Sequence, residues 1–202
     1  FFIATTRESY PFVAYKGEGD YVYDIEGNKF IDFSSFIAVY ALGINGNAET
    51  RNAIKKQADL LSHAAFTDYY SELPVKFGEL LLQMLPKGYG RLFLSNSGTE
   101  ANEAALKFAK LFTNRPYTLA YYNAFHGRTS GSLGMTASRL VQREHFGPFL
   151  GTIHVPFPYC YRCPFNMKPE SCGFACIDYI RKYPLSKEAS PKEVNAFFVE
   201  PI

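Results

Sequence analysis

Nine consecutive residues, Ser95-Asn96-Ser97-Gly98-Thr99-Glu100-Ala101-Asn102-Glu103, crowd hydroxyl, amide and carboxyl groups just ahead of an apolar run. Ser97 and Glu100 have the S-x-x-E spacing of a capping box, so a helix is expected to start there. Gly98 lets another backbone or a ligand approach with no side chain in the way. A helix beginning at this point leaves several N–H groups unpaired and aims the positive end of its dipole at one spot, which suits a phosphate. The stretch is not a P-loop, because no Gly-Lys-Ser/Thr follows, and it lacks the G-x-G-x-x-G dinucleotide pattern. Capping alone leaves the phosphate reading open, since many helices begin with Ser, Gly or Thr and bind nothing.

The elements that must position these groups are legible on either side. Arg91-Leu92-Phe93-Leu94 reads as a short buried strand, and Ala104 to Phe112 as a helix. Ala101, Ala105, Phe108, Ala109 and Phe112 fall on one face at helical spacing, with Glu103 and Lys107 one turn apart on the other. Upstream, Tyr21 to Asp24 and Lys29 to Phe33 flank Glu26-Gly27-Asn28, a hairpin by its turn chemistry. Helices are expected over 48–61, with a stripe of Ala53, Ile54, Gln57, Ala58 and Leu61, and over 73–85, with Pro74 in its first turn. Downstream, 117–122 and 196–199 read as strands, 147–169 as a proline-rich loop, 172–183 as a helix and 182–192 as a polar connection. Strands alternating with helices argue for an α/β fold with a mainly parallel sheet flanked by helices. Ligands in such sheets sit beyond the carboxyl ends of the strands. Three polar clusters follow apolar runs and mark such ends: Ser95 to Thr99, Asn123 to Arg128, and Glu200.

The wording of two of these clusters carries more than their spacing. Ser-Asn-Ser-Gly-Thr-Glu-Ala-Asn-Glu-Ala at 95–104, followed by Asn-Ala-Phe-His-Gly-Arg-Thr at 123–129, resembles the class III aminotransferases, the ornithine and 4-aminobutyrate type that uses pyridoxal phosphate. The resemblance implies a fold-type I transferase whose N-terminal hairpin belongs to a small domain. Residues 1–46 are then the first segment of that domain, and 47–202 the first, incomplete part of the large cofactor-binding domain. It further implies a homodimer acting on an amino acid and a 2-oxo acid. Where the family usually shows Gly-His-x-His-Pro, this chain has Gly43-Ile44-Asn45-Gly46-Asn47, a departure that bears on that loop alone.

Site roles follow from the same resemblance, residue by residue. Ser97, Gly98 and Thr99 fall at the phosphate-binding turn. Phe125 falls where an aromatic stacks on the cofactor ring, although it is also one of 19 phenylalanines. His126 adjoins that position and is expected among the cofactor-binding residues or as a filler of the turn, with no proton-transfer role. Arg128 falls at a substrate-carboxylate anchor, for which a planar guanidinium is suited. Glu200, opening Glu-Pro-Ile, falls beside the cofactor. Ile37 aligns with a pocket position that favours 4-aminobutyrate, with ornithine, acetylornithine and broader aminotransferases, or a racemase, close behind. The Lys that bonds the cofactor and the Asp that pairs with its ring nitrogen lie after Glu-Pro-Ile in the family. The catalytic residues are therefore expected beyond Ile202, and the chain is expected to be the N-terminal portion of a larger protein.

Composition sets outer bounds. The 202 residues are 47% hydrophobic and 20% charged, with a net charge of +2, which suggests neither nucleic acid nor an acidic partner. The uncharged run 33–48 is too short and too polar to span a bilayer, and a cytoplasmic protein without membrane contact is expected. Cys160-x-x-Cys163 and Cys172-x-x-x-Cys176 are weak candidates for a metal, and the expectation is no metal, with the thiols reduced or joined in a local clasp. They keep a competing class open, a metal-stabilised module, alongside a non-catalytic phosphate-binding protein.

Overall fold

The computed structural model of the protein describes residues 11–149 and 151–201. The chain divides into two compact units, Phe1–Leu85 and Pro86–Ile202.

The N-terminal unit opens with an antiparallel sheet of β1 (Ala14–Glu18), β2 (Tyr21–Asp24) and β3 (Lys29–Ile31) in the order β1-β2-β3. The expected hairpin is β2–β3, and β1 is an additional strand. Its turn is built by Asp24, whose carboxylate accepts from the N–H groups of Glu26 (3.0 Å) and Asn28 (2.8 Å) and from the Asn28 amide (2.8 Å). Gly27 takes the positive φ of 87° that this turn requires. Ile44 and Asn45, from the loop that departs from the family pattern, lean back on the sheet. The Ile44 N–H donates to the Gly19 carbonyl at 3.1 Å, and the Asn45 amide donates to the Gly17 carbonyl. Between them, α1 (Ser35–Ala38) is a single left-handed turn with φ from 46° to 70°. The unit ends in α2 (Ala48–Leu60), capped by Asn47 accepting from the Thr50 N–H, and α3 (Glu72–Met84).

The C-terminal unit holds the parallel sheet. Its strands are β4 (Tyr117–Tyr121), β5 (Thr152–Val155) and β6 (Val194–Phe198), in the order β5-β4-β6 with both pairings parallel. Alternation along β4 sends side chains to two different cores. Leu119 and Tyr121 join Ile153 and Val155 and meet Ile180 of α6 (Ala175–Lys182). Ala120 faces the other way and meets Leu106 of α4 (Gly98–Thr113) and Met135 of α5 (Ser130–Met135), with Phe198 packed against them. The sheet is thus covered by helices on both faces, as parallel sheets require.

Four expectations are corrected. Arg91–Leu94 pairs with no strand among the described residues, and Leu92, Phe93 and Leu94 are exposed. An apolar run becomes a strand only where a neighbour supplies ladder hydrogen bonds. The buried face of α4 centres on Leu106, with Asn102, Ala109 and Thr113 half-buried, while Phe108 and Phe112 are exposed. Both faces of this helix are apolar, so spacing alone did not choose between them. The segment 147–169 contains β5, which carries no proline of its own because Pro148, Pro156 and Pro158 flank it. Finally, α6 starts at Ala175 rather than Cys172, because Gly173 and Phe174 take left-handed conformations (φ 56° and 60°) that interrupt a helix.

Met135 is fully buried at the junction of α4, α5 and the sheet. Met135→Ala is expected to destabilise the protein by about 2–5 kcal/mol, read as a lower urea midpoint with an unchanged slope.

Candidate active site

The site lies where α4 begins, beyond the carboxyl ends of β4 and β6. Ser97 is the N-cap of α4, and its hydroxyl accepts from the Glu100 N–H at 3.3 Å. The other half of the expected capping box is displaced by one residue, since the Glu100 carboxylate accepts from the Asn96 N–H (2.8 Å). The N–H groups of Gly98 and Thr99 belong to the first helical turn, which has no intrahelical partner for them. A Cβ built on Gly98 would meet none of the described residues within 4 Å, so the space beside this residue is open among them.

The turn after β4 is held at successive peptide groups. The Phe125 N–H donates to Glu200, just past β6, at 2.8 Å. The His126 and Gly127 N–H groups both donate to the buried Thr136 hydroxyl, at 2.9 and 3.1 Å. The His126 carbonyl accepts from the Asn102 amide of α4 at 2.7 Å. Phe125 stays 37% exposed, with the Arg128 guanidinium 5.8 Å from its ring centre. Arg128 itself is exposed and makes no ion pair among the described residues. His126 is buried with its ring edge toward Phe198, and its Nε2 has no hydrogen-bond partner. Burial lowers the His126 pKa, with the Glu200 carboxylate pulling weakly the other way, so the ring is biased toward its neutral form.

A second cluster locks this turn onto α4. The Thr99 hydroxyl lies 2.9 Å from that of Thr129 and 2.6 Å from that of Ser132. One oxygen of Glu103 accepts from the Thr129 hydroxyl (2.5 Å) and from the N–H groups of Gly131 (2.8 Å) and Ser132 (3.0 Å), capping α5 from outside. Gly127, at φ 134°, lets the chains close up; a Cβ there would come within 2.6 Å of Thr99 Cβ. Burial raises the Glu103 pKa, but the bonds from Thr129, Ser132 and Gly131, with Lys110 nearby, outweigh it and leave the value lowered.

All three expected strand-end clusters thus meet in one place: Ser97, Gly98 and Thr99, then Phe125, His126 and Arg128, then Glu200. Ile37 lies in the N-terminal unit, 91% exposed on the left-handed turn α1. The Thr99 hydroxyl is occupied by Thr129 and Ser132, so the turn offers incoming groups backbone N–H rather than that side chain. Sequence reasoning gave no site role to Glu103, which it paired with Lys107 on a helix face, nor to Asn102, Thr136 and Ser132. The available signal was Thr129-Ser130-Gly131-Ser132, a second helix-start pattern needing an acceptor. No three His, Cys, Asp or Glu side chains among the described residues come together to hold a metal.

A family model described as aminotransferase class-III matches residues 2–202. The chain belongs to this family. It is 35% identical over its full length to a leucine/methionine racemase of Thermococcus litoralis, of which it spans 45%. It is 33% identical over 94% of its length to a probable 4-aminobutyrate aminotransferase of Bacillus subtilis, of which it spans 44%. Among solved structures it is similar, with a TM-score of 0.83 and 27% identity over 97% of the chain, to a taurine:2-oxoglutarate aminotransferase from Bifidobacterium kashiwanohense in complex with PLP and glutamate. It covers 44% of that chain. The chain therefore spans less than half the length of the curated relatives it matches. The fold is that of the fold-type I transaminases.

Glu103 ties acid sensitivity to this cluster. A carboxylate with a lowered pKa adds stability above its unfolded pKa and loses it as pH falls through the folded value, below the usual carboxylate range. Glu103→Ala is expected to cost about 1–3 kcal/mol at neutral pH, because two N–H groups lose their acceptor. Glu103→Gln is expected to flatten the loss of stability on acidification. Thermal unfolding of the three proteins between neutral pH and pH 3 checks both, and parallel pH profiles would remove Glu103 as a source of acid sensitivity.

Proposed function

We propose that the protein carrying this chain is a pyridoxal-phosphate-dependent aminotransferase. In this reading it moves an amino group from 4-aminobutyrate or a related amino acid to a 2-oxo acid such as 2-oxoglutarate. The observation that carries the reading is the convergence, among the described residues, of an open helix start at Gly98, a half-exposed ring at Phe125 and a guanidinium at Arg128 without an ion-pair partner, in one pinned turn system. The family membership and the aminotransferase relatives support it.

The residues present fit the cofactor. Gly98 stands before open space at a helix N-terminus, a combination suited to a dianionic phosphate. Ser97, Gly98 and Thr99 hold the phosphate, the latter two by backbone N–H. Phe125 offers a ring face to the cofactor's ring, and Glu200 fixes the Phe125 backbone through its 2.8 Å bond. In this reading His126 belongs to the cofactor-binding set by backing the Phe125 turn, its ring packed against Phe198. When bound, the cofactor supplies the electron sink for the bond broken at the substrate carbon. This chain's own residues bind, orient and exclude water. The proton-moving Lys and the ring-nitrogen Asp belong, in this reading, to the remainder of the protein. Arg128 takes the substrate carboxylate in two-pronged fashion. Ile37 supplies an aliphatic wall that favours an unbranched donor such as 4-aminobutyrate. The full protein is a cytoplasmic homodimer in this reading. Among the described residues no helix is long and apolar enough to cross a membrane.

A second reading has its own support. A relative at 35% identity is a leucine/methionine racemase, and an electron-sink cofactor would serve inversion at the carbon bearing the amine as well as transamination. The two differ in co-substrate: a transaminase consumes a 2-oxo acid, whereas a racemase inverts its amino acid without one. Incubating the full-length protein with single enantiomers, with and without 2-oxoglutarate, separates them.

Cofactor titration tests the common core. The full-length protein is expected to develop a pyridoxal absorbance band that borohydride fixes to a Lys. Gly98→Val should weaken cofactor binding while leaving the unfolding transition near that of wild type, since a Cβ there meets none of the described residues within 4 Å. Normal cofactor affinity in Gly98→Val would place the phosphate elsewhere.

Arg128→Lys is expected to leave the resting cofactor spectrum unchanged and to lower kcat/KM for carboxylated donors by about tenfold to a hundredfold. That corresponds to losing a charge-assisted pair of roughly 1.5–3 kcal/mol. Single-turnover conversion of an amine without a carboxylate, which leaves out the 2-oxo acid half-reaction, should be unaffected. An unchanged ratio of carboxylated to uncarboxylated turnover would mean that the anchor is another residue.

A further inference from the structure

The four cysteines, which the proposed reaction does not use, come together. Cys160, Cys163, Cys172 and Cys176 all line one cavity of about 20 Å³, whose other walls include Phe165 and Met167. A cavity of this size has room for about one water molecule. Its two walls come from different segments. Cys160 lies on the short 3-10 turn Cys160–Arg162 and Cys163 directly follows it, within the proline-rich stretch. Cys172 precedes α6 and Cys176 lies in its first turn. All four are free thiols; Cys160 is exposed and the other three are half-buried. Among the described residues no three metal-binding side chains gather closely enough to hold an ion. The four residues share this one small cavity, so the two cysteine pairs are neighbours across it.

We infer that this cavity is a dithiol–disulfide site, in which a thiol of the Cys160/Cys163 pair bonds across the gap to a thiol of the Cys172/Cys176 pair. The oxidant is a low-molecular-weight disulfide. The exposed Cys160 thiolate attacks one of its sulfurs and expels one small thiolate, leaving a mixed disulfide. A thiolate from the α6 wall then attacks the Cys160 sulfur and expels the second small thiolate. The protein gives up two electrons and two protons, which leave as two molecules of small thiol. The bond ties the proline-rich segment to α6, which is itself anchored on the sheet through Ile180. This site is independent of the cofactor reading, and its test does not use activity.

The full-length protein is oxidised with glutathione disulfide, alkylated and cut with a glutamate-specific protease. Glu170 lies between the two pairs, so cleavage there separates them. The expected product is a peptide containing Cys160 and Cys163 joined to one containing Cys172 and Cys176, released by dithiothreitol. Bonds confined to either pair, or four thiols that still react with alkylating agent, would overturn the inference. So would one zinc per chain that shields the thiols until it is chelated. In Cys160→Ser the linkage should form about tenfold more slowly, because every remaining thiol is half-buried. An unchanged rate would remove Cys160 as the entry thiol.

Discussion

The site depends on one carboxylate. Glu103 accepts three hydrogen bonds on a single oxygen, two from the backbone at the start of α5 and one from Thr129. Those donors would otherwise be unpaired groups at a helix start, and leaving them so is expensive in a half-buried setting. By satisfying them from α4, Glu103 fastens the 127–132 turn to the helix that carries Gly98 and Thr99. Gly127 makes the contact sterically feasible, because a side chain there would run into Thr99 and Ser132. The carboxylate and the missing side chain therefore act together: one supplies the attraction, the other the room.

The sheet sets where this fastening happens. Because β4 pairs in parallel with both neighbours, its carboxyl end points the same way as theirs. Residue 125, after β4, and residue 200, after β6, emerge side by side and are joined by the Phe125–Glu200 hydrogen bond. An antiparallel neighbour would have put Glu200 at the opposite edge. The alternation along β4 then divides the packing. Its Leu119 and Tyr121 face α6, while Ala120 presents a small side chain to α4 and α5. A small residue at that point lets Leu106 and Met135 come close to the sheet, which sets the depth at which the start of α4 meets the turn after β4.

What the sequence disclosed and what it withheld have physical causes. The start of α4 was legible because capping is local: Ser97, Gly98 and Glu100 announce it without reference to anything distant. The hairpin at Glu26-Gly27-Asn28 was legible for the same reason. The buried side of α4 was not, because Ala101, Ala105, Phe108 and Phe112 make as good a stripe as the face centred on Leu106, and only the sheet decides between them. The strand β5 was hidden by flanking prolines, whose density reads as loop although none lies within the four residues that pair. Arg91–Leu94 has strand composition but no ladder partner among the described residues. The resemblance marked residues that face a ligand; its motif includes Asn102 and Glu103 but gave them no role, and Thr136 lies outside it. Their work is to hold backbone groups, a task spread over partners 9 to 29 residues apart in the chain.

This division between holding and facing bears on how the turn would treat a substrate. The peptide groups of Phe125, His126 and Gly127 are each tied down, so the backbone leading to Arg128 has little freedom left. The Arg128 side chain, by contrast, has no carboxylate partner among the described residues, only the edge of its environment shared with the Phe125 ring. In the proposed reading, a fixed base with an unpaired guanidinium is the economical arrangement for an anchor. The cost of positioning the backbone falls on folding, and an incoming carboxylate meets a charge that no internal carboxylate has to release first. An internal ion pair at Arg128 would have added little stability at so exposed a position, while setting a competitor against every substrate. The same logic explains why Thr99 can spend its hydroxyl on Thr129 and Ser132. A phosphate at a helix start is held by N–H groups that the helix itself leaves over, so the side chain is worth more as a brace than as a ligand.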